Sequence, residues 1–327
     1  VTTLLGGGIF MMQGKITAGE ILAFSSLTWA LANPLRNLGM LINDVQRFFA
    51  SCQMIIEIFY AQPTIADRYM ARDPGVRPQG DVEYRNVTLT IDGATILDDI
   101  SFHVKPGETL GIIGTTGSGK TTLVGMLTRI NDPTSGDVLL DGEPVQSYTL
   151  KALRRHIGVA MQDVFLFSDT VDSNIAYGDP DMPFEDVQKY ARTADADEFI
   201  RKMEDGYDTL VGERGVGLSG GQKQRISLAR ALAIRPAVLI LDDTTSAVDM
   251  ETEKYLQEQL RNLDFPCTKI IIAQRVSSIE DADLILVLDR GRIVESGTHR
   301  ELLKNKGFYR HIWAIQNSKE EGESIGA

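Results

Sequence analysis

Gly114-Thr115-Thr116-Gly117-Ser118-Gly119-Lys120-Thr121 is the stretch that decides the fold. It has the glycine spacing and terminal Lys-Thr of a phosphate-binding loop, G-x-x-x-x-G-K-[ST]. Its context agrees. The apolar run 109–113 reads as a fully buried strand, and the sequence after the loop reads as a helix with Leu123, Leu127 and Ile130 on one face. Strand, turn and helix in this order are what the chemistry needs. Glycines let successive backbone N–H groups converge on phosphate oxygens, at a helix N-terminus that already favours anions. Lys120 is then suited to the β- and γ-phosphates, Thr121 to Mg²⁺ through its hydroxyl, and Thr122 to the α-phosphate.

Working outward, residues 238–241 and 269–272 are further apolar runs of the buried parallel-strand kind, and the first ends on Asp242. Strand-rich sequence fills 82–104, mostly helical sequence fills 162–235, and 284–294 reads as a hairpin turning at Asp289-Arg290-Gly291-Arg292. Within the helical region, Leu218-Ser219-Gly220-Gly221-Gln222 places a serine and two glycines at a helix start, a second phosphate cradle. Thr298-His-Arg-Glu301 caps a last helix, and the tail from Ser318 has the composition of a flexible segment.

The phosphate-binding loop, the 219–222 cradle and the apolar strand ending in Asp242 together resemble the ABC ATPase family over about residues 82–307. The resemblance implies an α/β P-loop NTPase of the ABC ATPase type: a parallel-sheet core, an antiparallel β subdomain and an α-helical subdomain, preceded by transmembrane α-helices. It implies ATP and Mg²⁺ as ligands, with Asp242, Thr121 and Gln162 near the metal, and Gln162 coupling nucleotide to a membrane domain. Thr209-Leu-Val211-Gly-Glu213-Arg-Gly matches a stretch typical of the exporter branch, and Ser246-Ala-Val-Asp249 matches the loop that crosses the dimer interface. The family assembles head to tail. Each ATP would lie between the 114–122 loop of one chain and the Ser219, Gly220, Gly221, Gln222 cradle of the other.

Three positions depart from the family pattern. Asp243 stands where hydrolytic members carry a glutamate that polarises the attacking water. One methylene fewer withdraws the carboxylate by roughly an ångström, and misplacement on that scale can slow chemistry about a hundredfold. Gln274 stands where a histidine contacts the γ-phosphate, and glutamine donates a hydrogen bond without ever carrying charge. Ile91 replaces the ring that stacks on adenine, with Tyr84 too far along the strand to substitute. These changes imply a site that holds ATP with little turnover, beside an intact 219–222 cradle able to complete a site on a different chain. The expected assembly is therefore a heterodimer with a second, non-identical half-transporter subunit. Rival readings are a homodimeric lipid exporter, a soluble ABC ATPase of another process, and a subunit for which ATP is only dimer glue.

The first sixty residues differ from the rest, with Lys15, Glu20, Arg36, Asp44, Arg47 and Glu57 as their only charges. Thr17-Ala-Gly-Glu20 has the form of a capping box. Residues 21–42 are mostly apolar, about 33 Å as a helix, which matches a hydrocarbon core, and Pro34 is placed to kink it. Val45, Phe48, Phe49, Cys52, Ile55, Ile56 and Phe59 then form one apolar stripe. A soluble amphipathic hairpin is the alternative, with Asn33, Arg36 and Asn37 in its favour. Residues 1–61 are expected to be the C-terminal part of a membrane domain whose upstream part is missing. Residues 62–80 have linker composition, 81–317 form the nucleotide-binding domain, and 318–327 are the tail. A net charge of -12 argues against sequence-independent nucleic-acid binding, and Cys52 and Cys267 fit reduced thiols rather than a disulfide. The expected setting is a multi-pass membrane protein with its nucleotide-binding domain in the cytoplasm, and the transported substrate stays open among drug, peptide and lipid.

Overall fold

The computed structural model describes residues 2–212, 215, 217–244 and 250–324. The chain divides into two units, Val1–Thr64 and Ile65–Ala327. The first holds α1 (Thr2–Met12) and α2 (Ala18–Phe59). Thr17 caps α2 through the expected box: its N–H donates to Glu20 Oε2 at 2.7 Å, and Glu20 N–H donates back to Thr17 Oγ1. The helix runs on through Pro34 as one assigned element of 42 residues. No residue of either helix is buried, and the 45–59 stripe stays open, with Phe48 64% and Phe59 77% exposed. The apolar run 21–42, expected to match a hydrocarbon core, lies in the first half of this helix. Among the described residues no helix is long and apolar enough to cross a membrane. Length is ample, and the shortfall is hydropathy: Ser25, Ser26, Thr28, Asn33, Arg36 and Asn37 dilute the apolar run.

In the second unit β1 (Val82–Ile91) and β2 (Ala94–Val104) form a hairpin, followed by β3 (Thr109–Gly114), α3 (Lys120–Leu127), β4 (Ser135–Leu140) and β5 (Glu143–Pro144). Next come α4 (Leu150–Arg155), β6 (Ile157–Ala160), α5 (Val171–Ile175), α6 (Phe184–Thr193), α7 (Asp197–Arg201) and α8 (Gly220–Ala233). The chain then returns through β7 (Val238–Asp242), α9 (Met250–Arg261), β8 (Thr268–Ile272), β9 (Leu284–Asp289), β10 (Arg292–Gly297), α10 (His299–Lys304) and α11 (Phe308–Ser324). One sheet is antiparallel, in the order β2-β1-β4-β5, and the other runs β10-β9-β3-β8-β7-β6. In the second, β9, β3, β8, β7 and β6 are mutually parallel, and β10 closes the edge antiparallel to β9.

The apolar runs read from the sequence explain this order. β3 and β7 are buried on both faces and β8 is buried on one and half-buried on the other, the cover parallel strands need, because their crossovers lay helices on either side. One core lies between the two sheets around α3, where Leu123 and Leu127 meet Val82, Leu97, Val138 and Ile240. Ile130 falls past the end of α3 and is 50% exposed, so it does not share that helical face. A second core joins α5, α6 and α8 to β6 and β7, and is the α-helical part expected from 162–235. A third lies under α10 and α11, where Tyr309 packs on Ile113, Ala273 and Val287.

Two boundaries differ from the sequence reading. Residues 65–80, linker-like in composition, are strapped onto the second unit. Arg129, 1% exposed, donates to Ala66 O at 3.2 Å; Leu150 N–H donates to Asp67 Oδ1 at 2.7 Å; Arg77 donates to Pro236 O and Pro266 O. At the other end α11 continues to Ser324, past the point where a flexible tail is expected. The predicted cap at Thr298 opens α10 rather than this last helix: Thr298 N–H and Oγ1 both donate to Glu301.

Candidate functional site

Three strands bring their C-terminal ends to one edge of the parallel sheet. β3 runs into the glycine loop, β7 ends on Asp242, and the chain after β8 carries Gln274. In parallel α/β sheets ligands bind outside the carboxyl ends of the strands, where helix N-termini favour anions.

The loop's glycines meet distinct steric demands. A Cβ on Gly114 would lie 2.1 Å from Leu288 O, so only glycine lets β3 turn beside β9. Gly119, the N-cap of α3, sits at φ 99°, and a Cβ there would lie 2.8 Å from Leu97 Cδ2. The β9–β10 hairpin braces the loop from outside: Thr115 Oγ1 donates to Asp289 Oδ1 at 3.3 Å, and Gly291 N–H donates to Ser118 O at 3.1 Å. The hairpin was legible in the sequence, but its role as a brace was not.

Lys120 Nζ is held over its own loop, donating to Gly114 O at 2.9 Å and Thr115 O at 2.8 Å. Burial lowers its pKa, and Asp242 and Asp243 oppose the shift. A polyanion beside it would hold the ammonium charged more firmly than those two carboxylates alone. Ser118 Oγ is buried in the loop with no hydrogen-bond partner, and Thr116, Gly117 and Thr122 complete the run.

Thr121 Oγ1 donates to Asp242 Oδ2 at 2.7 Å, which joins the two residues expected at the metal. Among the described residues no cluster of three or more His, Cys, Asp or Glu could hold a metal ion. A hydroxyl beside one carboxylate is a set of hard oxygen donors. It fits Mg²⁺, which keeps waters and takes its other ligands from substrate phosphates. Gln162 lies two residues beyond the end of β6 on the same sheet edge, and is exposed.

Asp243 and Gln274, two of the positions that depart from the family pattern, touch each other. Gln274 Nε2 donates to Asp243 Oδ2 at 2.6 Å. Asp243 is 6% exposed and sits at φ 50°, and its N–H donates to Ile272 O at 3.0 Å, fixing it against β8. The backbone around Gln274 is held in turn by α11: Gln316 Nε2 donates to Gln274 O at 2.8 Å, and Val276 N–H donates to Gln316 Oε1 at 2.9 Å. Nothing local in the sequence announced Gln316.

The 219–222 cradle is formed but stands apart. Ser219 N–H donates to Gln222 Oε1 at 2.9 Å, and Gln222 N–H donates to Ser219 Oγ at 3.3 Å, a capping box at the start of α8. Ser219 and Gly220 are exposed and Gly221 half-buried. Among the described residues no hydrogen bond joins this turn to the 114–122 loop. Ile91 ends β1 at 40% exposure, whereas Tyr84 is buried at 2%, stacked on Phe102 and donating from its hydroxyl to Leu123 O at 2.8 Å. Tyr84 is therefore committed to the core. Asp249, the rest of the Ser246 loop and Glu213 lie outside the described residues.

Comparisons with known proteins agree with this geometry. The ABC transporter family model matches residues 97–246. An ABC transporter ATP-binding protein of Bacillus subtilis (strain 168), YknU, is 44% identical over 318 residues, covering 97% of this chain and 54% of that protein. An ATP-dependent lipid A-core flippase of Pseudomonas fluorescens (strain Pf0-1) is 43% identical over 310 residues, covering 94% of this chain and 51% of the flippase. Among solved structures, a bacterial Atm1-family ABC exporter with ATP bound superposes with a TM-score of 0.78 at 36% identity, over 92% of this chain and 53% of that one. The chain thus spans about half the length of the curated relatives it matches. With the loop, the Thr121–Asp242 pair and the capped 219–222 turn all in place, the chain carries an ABC transporter ATP-binding domain whose relatives are of the exporter type.

Proposed function

We propose that this chain is the ATP-binding and permease subunit of an ABC exporter, and that its own phosphate loop holds ATP with little turnover. The observation that carries this reading is the 2.6 Å hydrogen bond from the Gln274 amide to the Asp243 carboxylate. A carboxylate already short by one methylene is drawn toward a neighbour that can neither take up a proton nor gain charge. A general base for water needs both reach and freedom to accept a proton. The capped 219–222 turn keeps its exposed serine and glycine ready for the nucleotide of another chain.

In this reading the glycine loop binds the triphosphate through its backbone N–H groups, and Lys120 turns from its own carbonyls toward the β- and γ-phosphates. Thr121 and Asp242 would hold Mg²⁺, which when bound would supply positive charge to the triphosphate. Asp243 and Gln274 meet the γ-phosphate and retain it more than they cleave it. Two nucleotides then stabilise the closed head-to-tail dimer, and hydrolysis at the competent site on an unlike partner releases it. Helix α2, about 63 Å long at the rise of an α-helix, exceeds a bilayer core of about 30 Å. Asn33, Arg36 and Asn37 would face the interior of a multi-helix membrane domain, where polar groups are tolerated. The open apolar stripe of α2 would be covered by the helices of that assembly. Export of a small molecule, peptide or lipid fits this architecture.

The similarity to a lipid A-core flippase favours a second reading, a homodimeric lipid exporter with two such sites. One experiment separates the two. ATP hydrolysis is measured for the full-length protein alone and with its partner subunit, together with the nucleotide each chain retains after washing. Slow hydrolysis alone, brisk hydrolysis with the partner and ATP retained on this chain are the expected results. Brisk hydrolysis by this chain alone supports the homodimer and ends the first reading.

A further inference from the structure

Helix α11 presents Phe308, Tyr309, Ile312 and Trp313 to the third core, a stripe at the three-and-four spacing of one helical face. Continuing that spacing, the next position on the buried face is Gln316. An amide there, where the stripe calls for another apolar side chain, has to find partners of its own. Both of its ends are used. Nε2 donates to Gln274 O at 2.8 Å, and Oε1 accepts from Val276 N–H at 2.9 Å. The two contacts bracket Arg275 and fix the backbone on either side of it.

The same short segment is also held by α9. Arg275 pairs with Glu253 at 3.3 Å, and Ser278 Oγ donates to Glu253 Oε1. Glu253 is 4% exposed. Between these anchors Gln274 has little backbone freedom, and its amide ends 2.6 Å from Asp243. Cores lock side chains by packing, but a loop beyond the end of a strand has no ladder to hold it. Here an amide on α11 supplies the missing hydrogen bonds.

We propose that Gln316 is a positioning residue, fixing the backbone on both sides of Arg275 and so aiming the Gln274 amide at the γ-phosphate. The inference rests on the reading that Gln274 meets the γ-phosphate. It also gives α11 a function: the last helix sets how firmly the domain distinguishes ATP from ADP. Gln316 itself touches no nucleotide. Its influence passes through one loop, so it acts on the terminal phosphate and leaves the adenosine and the α- and β-phosphates as they are.

The test compares ATP and ADP affinities, with Mg²⁺, of the full-length protein in its membrane assembly for four forms: native, Gln316→Met, Gln274→Ala and the double variant. Methionine keeps the volume and reach of glutamine and removes both hydrogen bonds, which spares the packing of α11. The expected result is ATP affinity about fivefold weaker in Gln316→Met with ADP affinity within about twofold, the size of effect one neutral hydrogen bond carries. The double variant should be no weaker than Gln274→Ala, because the two residues act on one contact. ATP affinity unchanged in Gln316→Met overturns the proposal, and so does parallel weakening of ATP and ADP, which marks a merely structural role. Losses that multiply in the double variant overturn it as well. Should Gln274→Ala leave the ATP-to-ADP ratio untouched, the underlying reading of Gln274 fails. A change in Gln316→Met alone would then show that α11 acts elsewhere, against the proposal. If Gln316→Met fails to assemble, Gln316→Glu serves instead. It keeps the acceptor for Val276 N–H and places an oxygen against Gln274 O, and the same ATP-specific loss is expected.

Discussion

At position 243 the side chain and the backbone both bear on the chemistry. The φ of 50° lies in the left-handed region, which aspartate enters several-fold more often than most residues and which a longer side chain enters less readily. Restoring a glutamate there therefore supplies reach at some conformational cost, and leaves the Gln274 amide still gripping the carboxylate. Asp243→Glu alone is expected to raise ATP turnover only slightly. Asp243→Glu with Gln274→His replaces the gripping amide by a group that can carry charge, and should raise turnover at this site by at least about tenfold, since roughly an ångström of misplacement is being corrected. Single-turnover hydrolysis of labelled ATP by the native, single and double forms checks the order. Full recovery in Asp243→Glu alone would show that length was the whole deficit, and an inert double variant would show that neither residue limits the site.

Elements differ in how openly the sequence declares them. β3 and β7 were readable because strands buried on both faces must be apolar throughout, and the caps at Thr17 and Thr298 because a capping box is confined to four residues. The residues at the phosphate edge were readable for the same reason, each being tied to a strand end. What escaped are contacts between distant positions. Asp289 braces Thr115 across 174 positions and Gln316 holds Gln274 across 42, and neither pairing leaves a local period. Composition is silent on such contacts too: 62–80 has the make-up of a linker, and the straps at Ala66 and Asp67 leave no trace in it. The glycine loop, by contrast, permits a sharp expectation at this scale. Gly119→Ala forces a Cβ into Leu97 at a φ of 99°, and should cost about 1–3 kcal/mol of stability by backbone strain alone. Denaturant melts with and without ATP measure it. Loss of ATP affinity without loss of stability would mean that the loop tolerates the methyl group and only the cradle is spoiled.

The whole molecule is built from two units of unequal self-sufficiency. Among the described residues, the three hydrophobic cores draw their fully buried side chains from Val82 to Tyr309, and α1 and α2 contribute no buried residue to any of them. The straps at Ala66, Asp67, Arg72 and Arg77 also fall after the division at Thr64, inside the second unit. A fragment of residues 65–327 therefore keeps every core and every strap, together with the glycine loop, Asp242, Asp243 and Gln274. It is expected to melt cooperatively and to bind nucleotide without the N-terminal helices. A ligand that binds only the folded form at about a hundredfold above its Kd stabilises by about 2.7 kcal/mol. For a domain somewhat larger than 200 residues that raises Tm by roughly 5–10 °C. Lys120→Ala should abolish most of the shift, because the charge-assisted contact proposed for Lys120 with the β- and γ-phosphates is lost while the fold stays as it is. Calorimetry of the fragment with Mg-ATP, Mg-ADP and neither decides the matter. A broad melt insensitive to nucleotide would mean that the ATP-binding unit depends on the helices before it.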